Sequence, residues 1–282
     1  MQRWFGGWRV DLGAVTFGGV DDVGVGWHVA TLEGWDSAEV RTQVTQRESD
    51  HGAWMGPVWL GERPITLTGT IDAPDPAALD GAVEQLLGAC SLADTLLTVW
   101  ESVPKQVVVR RSGKPIVTRL GACAASWSLL VTAADPRRYG ADLRQESTAL
   151  PSITGGLVLP ATLPWTLSAV EVTGSITALN EGSIVVRPTL VVTGPVSRPQ
   201  VATLYEDGTV QTLTYALDLV DGEVLTLDTD AHTAMVGGAT RRRWISGQWP
   251  QIPAQQQARL QFRAAAYDPA ARLTVSWRPA WI

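Results

Sequence analysis

Residues 65–71 read Ile-Thr-Leu-Thr-Gly-Thr-Ile. Apolar and polar positions alternate without a break, and a period of two fits only an extended strand with one buried face. The same signal recurs in short runs. Residues 96–100 and 106–110 are apolar strands, and 126–132 (Ser-Trp-Ser-Leu-Leu-Val-Thr) is another. The turn Ser112-Gly113-Lys114-Pro115 predicts a hairpin between 106–110 and 116–120. One helix interrupts, at about 76–88. Asp75 is set to cap it and Pro76 to occupy its first turn. Leu79, Val83, Leu86 and Leu87 fall on one face before Gly88 ends it.

Composition shifts near residue 140. The stretch 145–164 is rich in Ser, Thr, Gly and Pro and carries little charge, as domain linkers do. It divides the chain into 1–145, with the helix, and 146–282. The second part reads as short strands between turns. Ile184, Val186, Leu190 and Val192 alternate around Pro188, which favours an edge strand or bulge. Glu206-Asp207-Gly208 and Asp221-Gly222 are hairpin-type turns, and Leu273, Val275 and Trp277 mark a final strand. Regular short strands without helices predict a mainly β protein whose second domain is a β-sandwich.

Charged residues make up 18% of the chain, below the usual ~25%, as expected of a surface covered by other subunits. Residues 1–145 carry 13 basic and 17 acidic side chains, and 146–282 carry 9 and 11, giving the net −6. Neither half is a basic module, so no specific nucleic-acid binding is expected. Thirteen Trp stand against three Phe. Core packing is the plain explanation for so many indoles; interface anchoring is the sharper one, and carbohydrate stacking a third. Cys90 and Cys123 form no CxxC pair and read as two buried thiols, with a single disulfide left open. The N-terminus lacks the apolar core of a signal peptide, and no apolar run reaches the ~18 residues of a membrane span. A soluble product that does not contact a membrane is expected.

A search for chemistry finds little. There is no GxSxG elbow, Gly113-Lys114 is followed by Pro115, and Gly24-Val25-Gly26 lacks the third glycine of a dinucleotide loop. His28, His51 and His232 are far apart and match no metal motif. Glycoside hydrolysis needs two carboxylates ~5–10 Å apart, but Asp21-Asp22, Glu206-Asp207 and Asp228/Asp230 all sit in turn-like sequence. Arg241-Arg242-Arg243 has no interleaved aromatics and reads as a strand edge. The expectation is a protein with no catalytic residues, cofactor or metal. A second reading is a glycan-binding module using Trp165, Trp244 or Trp249.

Three stretches carry a family resemblance. The first runs from Gly34-Trp35-Asp36 to Arg41, then through Gly52-Ala53-Trp54-Met55-Gly56 to Gly61-Glu62-Arg63-Pro64-Ile65-Thr66-Leu67-Thr68-Gly69. The second is the strand from Ser126 that ends in Asp135-Pro136-Arg137-Arg138-Tyr139-Gly140. The third is Val275-Ser276-Trp277-Arg278-Pro279-Ala280-Trp281. Together, in this order, they resemble distal tail proteins (Dit) of actinobacterial siphophages, over nearly the whole chain. The resemblance implies a virion protein at the tail tip that forms a hexameric ring between the tail tube protein and the tail hub protein. It implies a split-barrel-like N-terminal domain that makes the ring and a galectin-like C-terminal sandwich, and it implies no glycan site.

The residues themselves point to where copies meet. The segment Gly34–Gly61 holds Trp35, Trp54 and Trp59 amid much polar sequence. So short a stretch does not easily bury three indoles, so it is expected to be a subunit-spanning arm; the plain alternative is that the indoles pack on their own domain. Arg137 and Arg138 are expected to bond a neighbouring subunit's carboxylates or carbonyls.

Overall fold

The computed structural model describes residues 7–89, 92–154 and 170–282. The chain divides into two compact units, Met1–Ala141 with Trp281–Ile282, and Asp142–Ala280.

The first unit opens with β1 (Val10–Leu12), β2 (Val15–Phe17), β3 (Gly19–Val20) and β4 (Gly26–Glu33). A long excursion then carries β5 (Val40–Arg41), β6 (Val44–Gln46), β7 (Ala53–Met55) and β8 (Trp59–Leu60). After it come β9 (Arg63–Asp72), α1 (Pro76–Ala89), β10 (Thr95–Val99), β11 (Lys105–Arg111), β12 (Ile116–Arg119), β13 (Ala124–Ala133) and β14 (Arg138–Gly140).

Two half-sheets, β2-β1-β10-β11 and β13-β9-β4-β3, meet at two corners to make a split barrel. At one corner β11 leaves β10 and sets its last residues, Arg110 and Arg111, against Thr132 and Val131 of β13. At the other, Gly18 turns the chain from β2 into β3 at φ +97°, and its N–H donates to the Trp27 carbonyl at 2.7 Å. A Cβ at Gly18 would lie 2.3 Å from the Trp8 carbonyl oxygen, so only glycine fits this corner. The alternation seen at 65–71 holds along all of β9 and recurs in β13, and the inward residues build one core. Phe17 lies at its centre, with ring centroids 5.5 Å from Trp27 and 4.9 Å from Trp127.

The helix begins as its sequence requires, with the Ala78 N–H donating to the Asp75 carboxylate at 2.8 Å. Its buried face is Leu79, Ala82, Leu86 and Ala89, whereas Leu87 is exposed and Gly88 lies inside the helix. The two alanines explain the rotation from the expected face: small side chains let the helix axis lie close to the barrel. The expected hairpin between 106–110 and 116–120 does not form. β11 and β12 instead pair with successive stretches of one strand, β13, because β11 bends at the barrel corner before the turn.

The second unit is a sandwich of two antiparallel sheets. One orders Arg144–Ala149, Arg272–Trp277, Thr189–Thr193, Val224–Asp228, Thr233–Val236 and Ala239–Thr240. The other orders Ser175–Asn180, Gln256–Arg263, Gln200–Tyr205, Val210–Tyr215 and Ile245–Gly247. Each buries alternate residues, Leu273, Val275 and Trp277 in the first and Ala258, Leu260 and Phe262 in the second. Glu206-Asp207-Gly208 joins a true hairpin. Asp221-Gly222 lies instead in the crossover between sheets, and Pro188 precedes a central strand rather than interrupting an edge one.

Candidate assembly surface

In each pair of carboxylates that might have been hydrolytic, at least one is engaged with backbone. Asp21 accepts from the Val23 and Val25 N–H groups, Asp207 from Thr209, and Asp228 from Asp230 and Ala231. Each stabilises its own turn. Among the described residues no three His, Cys, Asp or Glu side chains converge as a metal cage would. Cys123 is a free, half-buried thiol, and Cys90 lies outside the described residues. Among the described residues no helix is long and apolar enough to cross a membrane.

The excursion between β4 and β9 is the longest exposed stretch among the described residues of the first unit. Its strands pair with each other alone among the described residues, β5 with β8 and β6 with β7, continuing the β4–β9 ladder outward as a two-stranded ribbon. The register sorts its side chains. Val40 faces Leu60 and Val44 faces Met55, while Arg41 faces Trp59 and Thr45 faces Trp54. Cross-strand partners share a face and neighbours alternate. One face is therefore aliphatic, with Val40, Val44, Met55 and Leu60. The other carries both indoles with Arg41, Thr45 and Arg47, whose guanidinium sits 4.5 Å from the Trp54 ring centre. Between the pairs at 41/59 and 44/55 the returning strand has one residue more than the outgoing one, so a bulge lies at 56–58. Trp54 and Trp59 are 65% and 66% exposed. Together they leave about 300 Å² of indole in water.

The root of the ribbon is different. Trp35 is 0% exposed, and its Nε1 donates to the Glu101 carboxylate, which also receives Lys105. Burial alone would raise the Glu101 carboxyl, but the hydrogen bonds from Lys105 and Trp35 outweigh it and hold it below the usual carboxylate range. Arg63 is also 0% exposed. Its Nε donates to the Pro136 carbonyl at 2.8 Å, and its Nη1 to those of Trp35 at 2.5 Å and Gly34 at 3.1 Å. Burial, and secondarily the Arg138 charge, bring its pKa down to about 10. Arg138 lies 5.5 Å from the Trp35 ring centre, approaches Asp36 at 3.9 Å and donates to the Ile282 carbonyl at 2.5 Å.

The five candidate interface residues thus separate. Trp54 and Trp59 are open to a partner. Trp35 is not; it is a core anchor of its own unit, because Glu101 satisfies the indole N–H there. Arg137 and Arg138 are also engaged within the chain. The Asp135 carboxylate receives the Arg137 backbone N–H at 3.1 Å, its Nε at 2.8 Å and the Tyr139 hydroxyl at 2.6 Å. Asp-Pro-Arg-Arg-Tyr-Gly is therefore a self-bonded turn. Sequence reasoning missed Arg63 and Glu101 as parts of the site. Arg63 shares the parity of Ile65 and Leu67, a readable sign that it points inward. Of the glycan candidates, Trp249 stacks with His232 at 5.2 Å and has Arg242 at the same distance; Trp244 has Arg243 at 4.7 Å. Trp165 lies outside the described residues.

No family model matches the chain, and no curated protein matches it. Among solved structures it is similar to the Dit protein of phage SPP1, described as a paradigm of the hub adsorption apparatus in phages infecting Gram-positive bacteria. The TM-score is 0.63 at 14% identity, covering 90% of this chain and 93% of that one. A baseplate structure of phage P2 aligns at a TM-score of 0.45 and 10% identity, covering 93% of this chain and 99% of that one, too weak to carry an argument. A split barrel followed by a sandwich is the architecture the two chains share. More particularly, the chain has the fold of a Dit protein.

Proposed function

We propose that this chain is a structural protein of the phage tail tip. Copies of it form the ring that joins the tail tube to the hub of a long non-contractile tail. The observation that carries the reading is the ribbon: a two-stranded hairpin with one aliphatic face and one that sets two exposed indoles among arginines, on a barrel of Dit fold. An isolated two-stranded ribbon is marginal in water, so its order and its exposed indoles call for another surface. A second copy of the chain supplies one. In this reading the first unit makes the ring and the sandwich hangs from it as a separable body. The protein performs no catalysis, needs no cofactor or metal, and does not hold duplex DNA, since both halves are acidic.

Light scattering on the full chain tests the ring. The wild type should show one oligomer, at six times the chain mass if the family's number holds. Trp54→Ser with Trp59→Ser should give a folded monomer. A wild type that stays monomeric at high concentration, or a double variant that keeps the full oligomer, overturns the assignment.

A further inference from the structure

A buried guanidinium is costly unless its fork is filled, and it is most often filled by a carboxylate. Arg63 is filled by three backbone carbonyls instead, and among the described residues its Nη2 has no partner. Two of those carbonyls, Gly34 and Trp35, begin the arm; the third, Pro136, follows β13. Arg63 itself is the first residue of β9, where the arm returns. One side chain therefore ties the outgoing strand, the returning strand and the end of the neighbouring strand β13 to a single point. The rest of the root reinforces it. Gly34 lies at φ +82°, and a Cβ there would be 2.0 Å from the Pro64 carbonyl oxygen, so the two strands cross with no space between them. Glu101 holds the Trp35 indole from one side and Arg138 lies near its ring.

We infer that Arg63 is a positioning residue that sets the angle at which the arm leaves the barrel, and so decides whether copies close into a ring or grow as open chains. The inference rests on the arm-mediated ring proposed above. Head-to-tail contacts close only when each interface turns by the same fixed fraction of a circle. The arm extends about 13 residues from its root, or about 40 Å, so a swing of about 10° moves its tip by about 7 Å. A displacement of that size breaks register with a neighbour. Spending a buried cation on the root fits a need for direction more than for stability, since an apolar side chain of similar volume would cost less to bury.

Arg63→Met, Arg63→Lys and Glu101→Gln in the full chain test this, read by native mass spectrometry and by hydrogen exchange. Wild type should give one closed species. Arg63→Met should give a spread of open oligomers, with amides of residues 36–60 exchanging at least about tenfold faster while those of β9 and β13 are unchanged. Arg63→Lys, which keeps donors but not the fork, should fall between them. A purely structural role would instead speed exchange across the barrel and leave closed rings. If Arg63→Met does not fold, Glu101→Gln carries the test through the same root and should also broaden the masses. A folded variant with wild-type mass and unchanged arm exchange overturns the inference. A monomeric wild type would instead sink the ring reading, and arm exchange in the two chains would still decide the positioning role.

Discussion

Three tryptophans enter one excursion of the chain, and its two regions treat them in opposite ways. At the root, Trp35 is sealed into the barrel core beside a carboxylate and two guanidinium groups. Along the ribbon, Trp54 and Trp59 lie open on a face they share with Arg41 and Arg47. Hydrophobicity does not distinguish them, since the side chains are identical. Geometry does: a barrel has an interior with an acceptor for the indole N–H, whereas a two-stranded ribbon has two faces and no inside. The root indole therefore contributes to folding, whereas the ribbon indoles stay in water within the single chain.

This contrast is open to direct attack. The largest effect is expected at the root. Trp35→Ala should destabilise the full chain by about 3–5 kcal/mol in urea unfolding, from lost burial and the cavity it leaves. A loss below about 1 kcal/mol would erase the distinction. Glu101→Gln should cost about 1.5–3 kcal/mol, as hydrogen bonds to a charged group do. The same variant sharpens the comparison through pH. Because the Glu101 carboxyl is held below its usual range, its contribution is complete above the unfolded-state value and is lost as pH falls through the lower folded-state value. Wild type should thus lose stability on the acid side more steeply than Glu101→Gln, and parallel pH curves would refute the root hydrogen bond. Gly34→Ala should cost about 1–3 kcal/mol from left-handed strain alone, visible as a lower melting midpoint. The smallest stability change is expected on the ribbon, where Trp54→Ser with Trp59→Ser should shift the unfolding free energy of the barrel by less than about 0.5 kcal/mol. Their effect should appear in the oligomer mass alone.

Much of the fold was legible because period and caps are local signals. Ile65, Leu67 and Ile71 declared β9, and Asp75-Pro76 declared the start of the helix. What failed depended on partners distant in sequence. Leu87 has the spacing of a core residue, but Ala82 and Ala89 brought the helix in on a different side. Ser112-Gly113-Lys114-Pro115 is a turn, yet where the next strand pairs was decided by the bend in β11. The proposed assembly surface was half legible. Trp54 and Trp59 sit where a polar, glycine-punctuated excursion suggests. Trp35 needed Glu101, sixty-six positions away, to bury its N–H. Arg137 and Arg138 looked outward as charges do, and only the folded turn shows Asp135 taking the first.

The ladder beneath the ribbon has a mechanical consequence. β9 pairs in continuous register with β13, from Asp72↔Ala124 to Arg63↔Ala133, and with β4 on its other edge. The returning strand of the ribbon runs into β9 along the same line. Tension applied at the tip is therefore delivered along the strand axis, where the crosswise hydrogen bonds of both edges share it in shear. Peeling would break them one after another; shear requires many to give way together. The projection is anchored in the direction in which a load on it would pull.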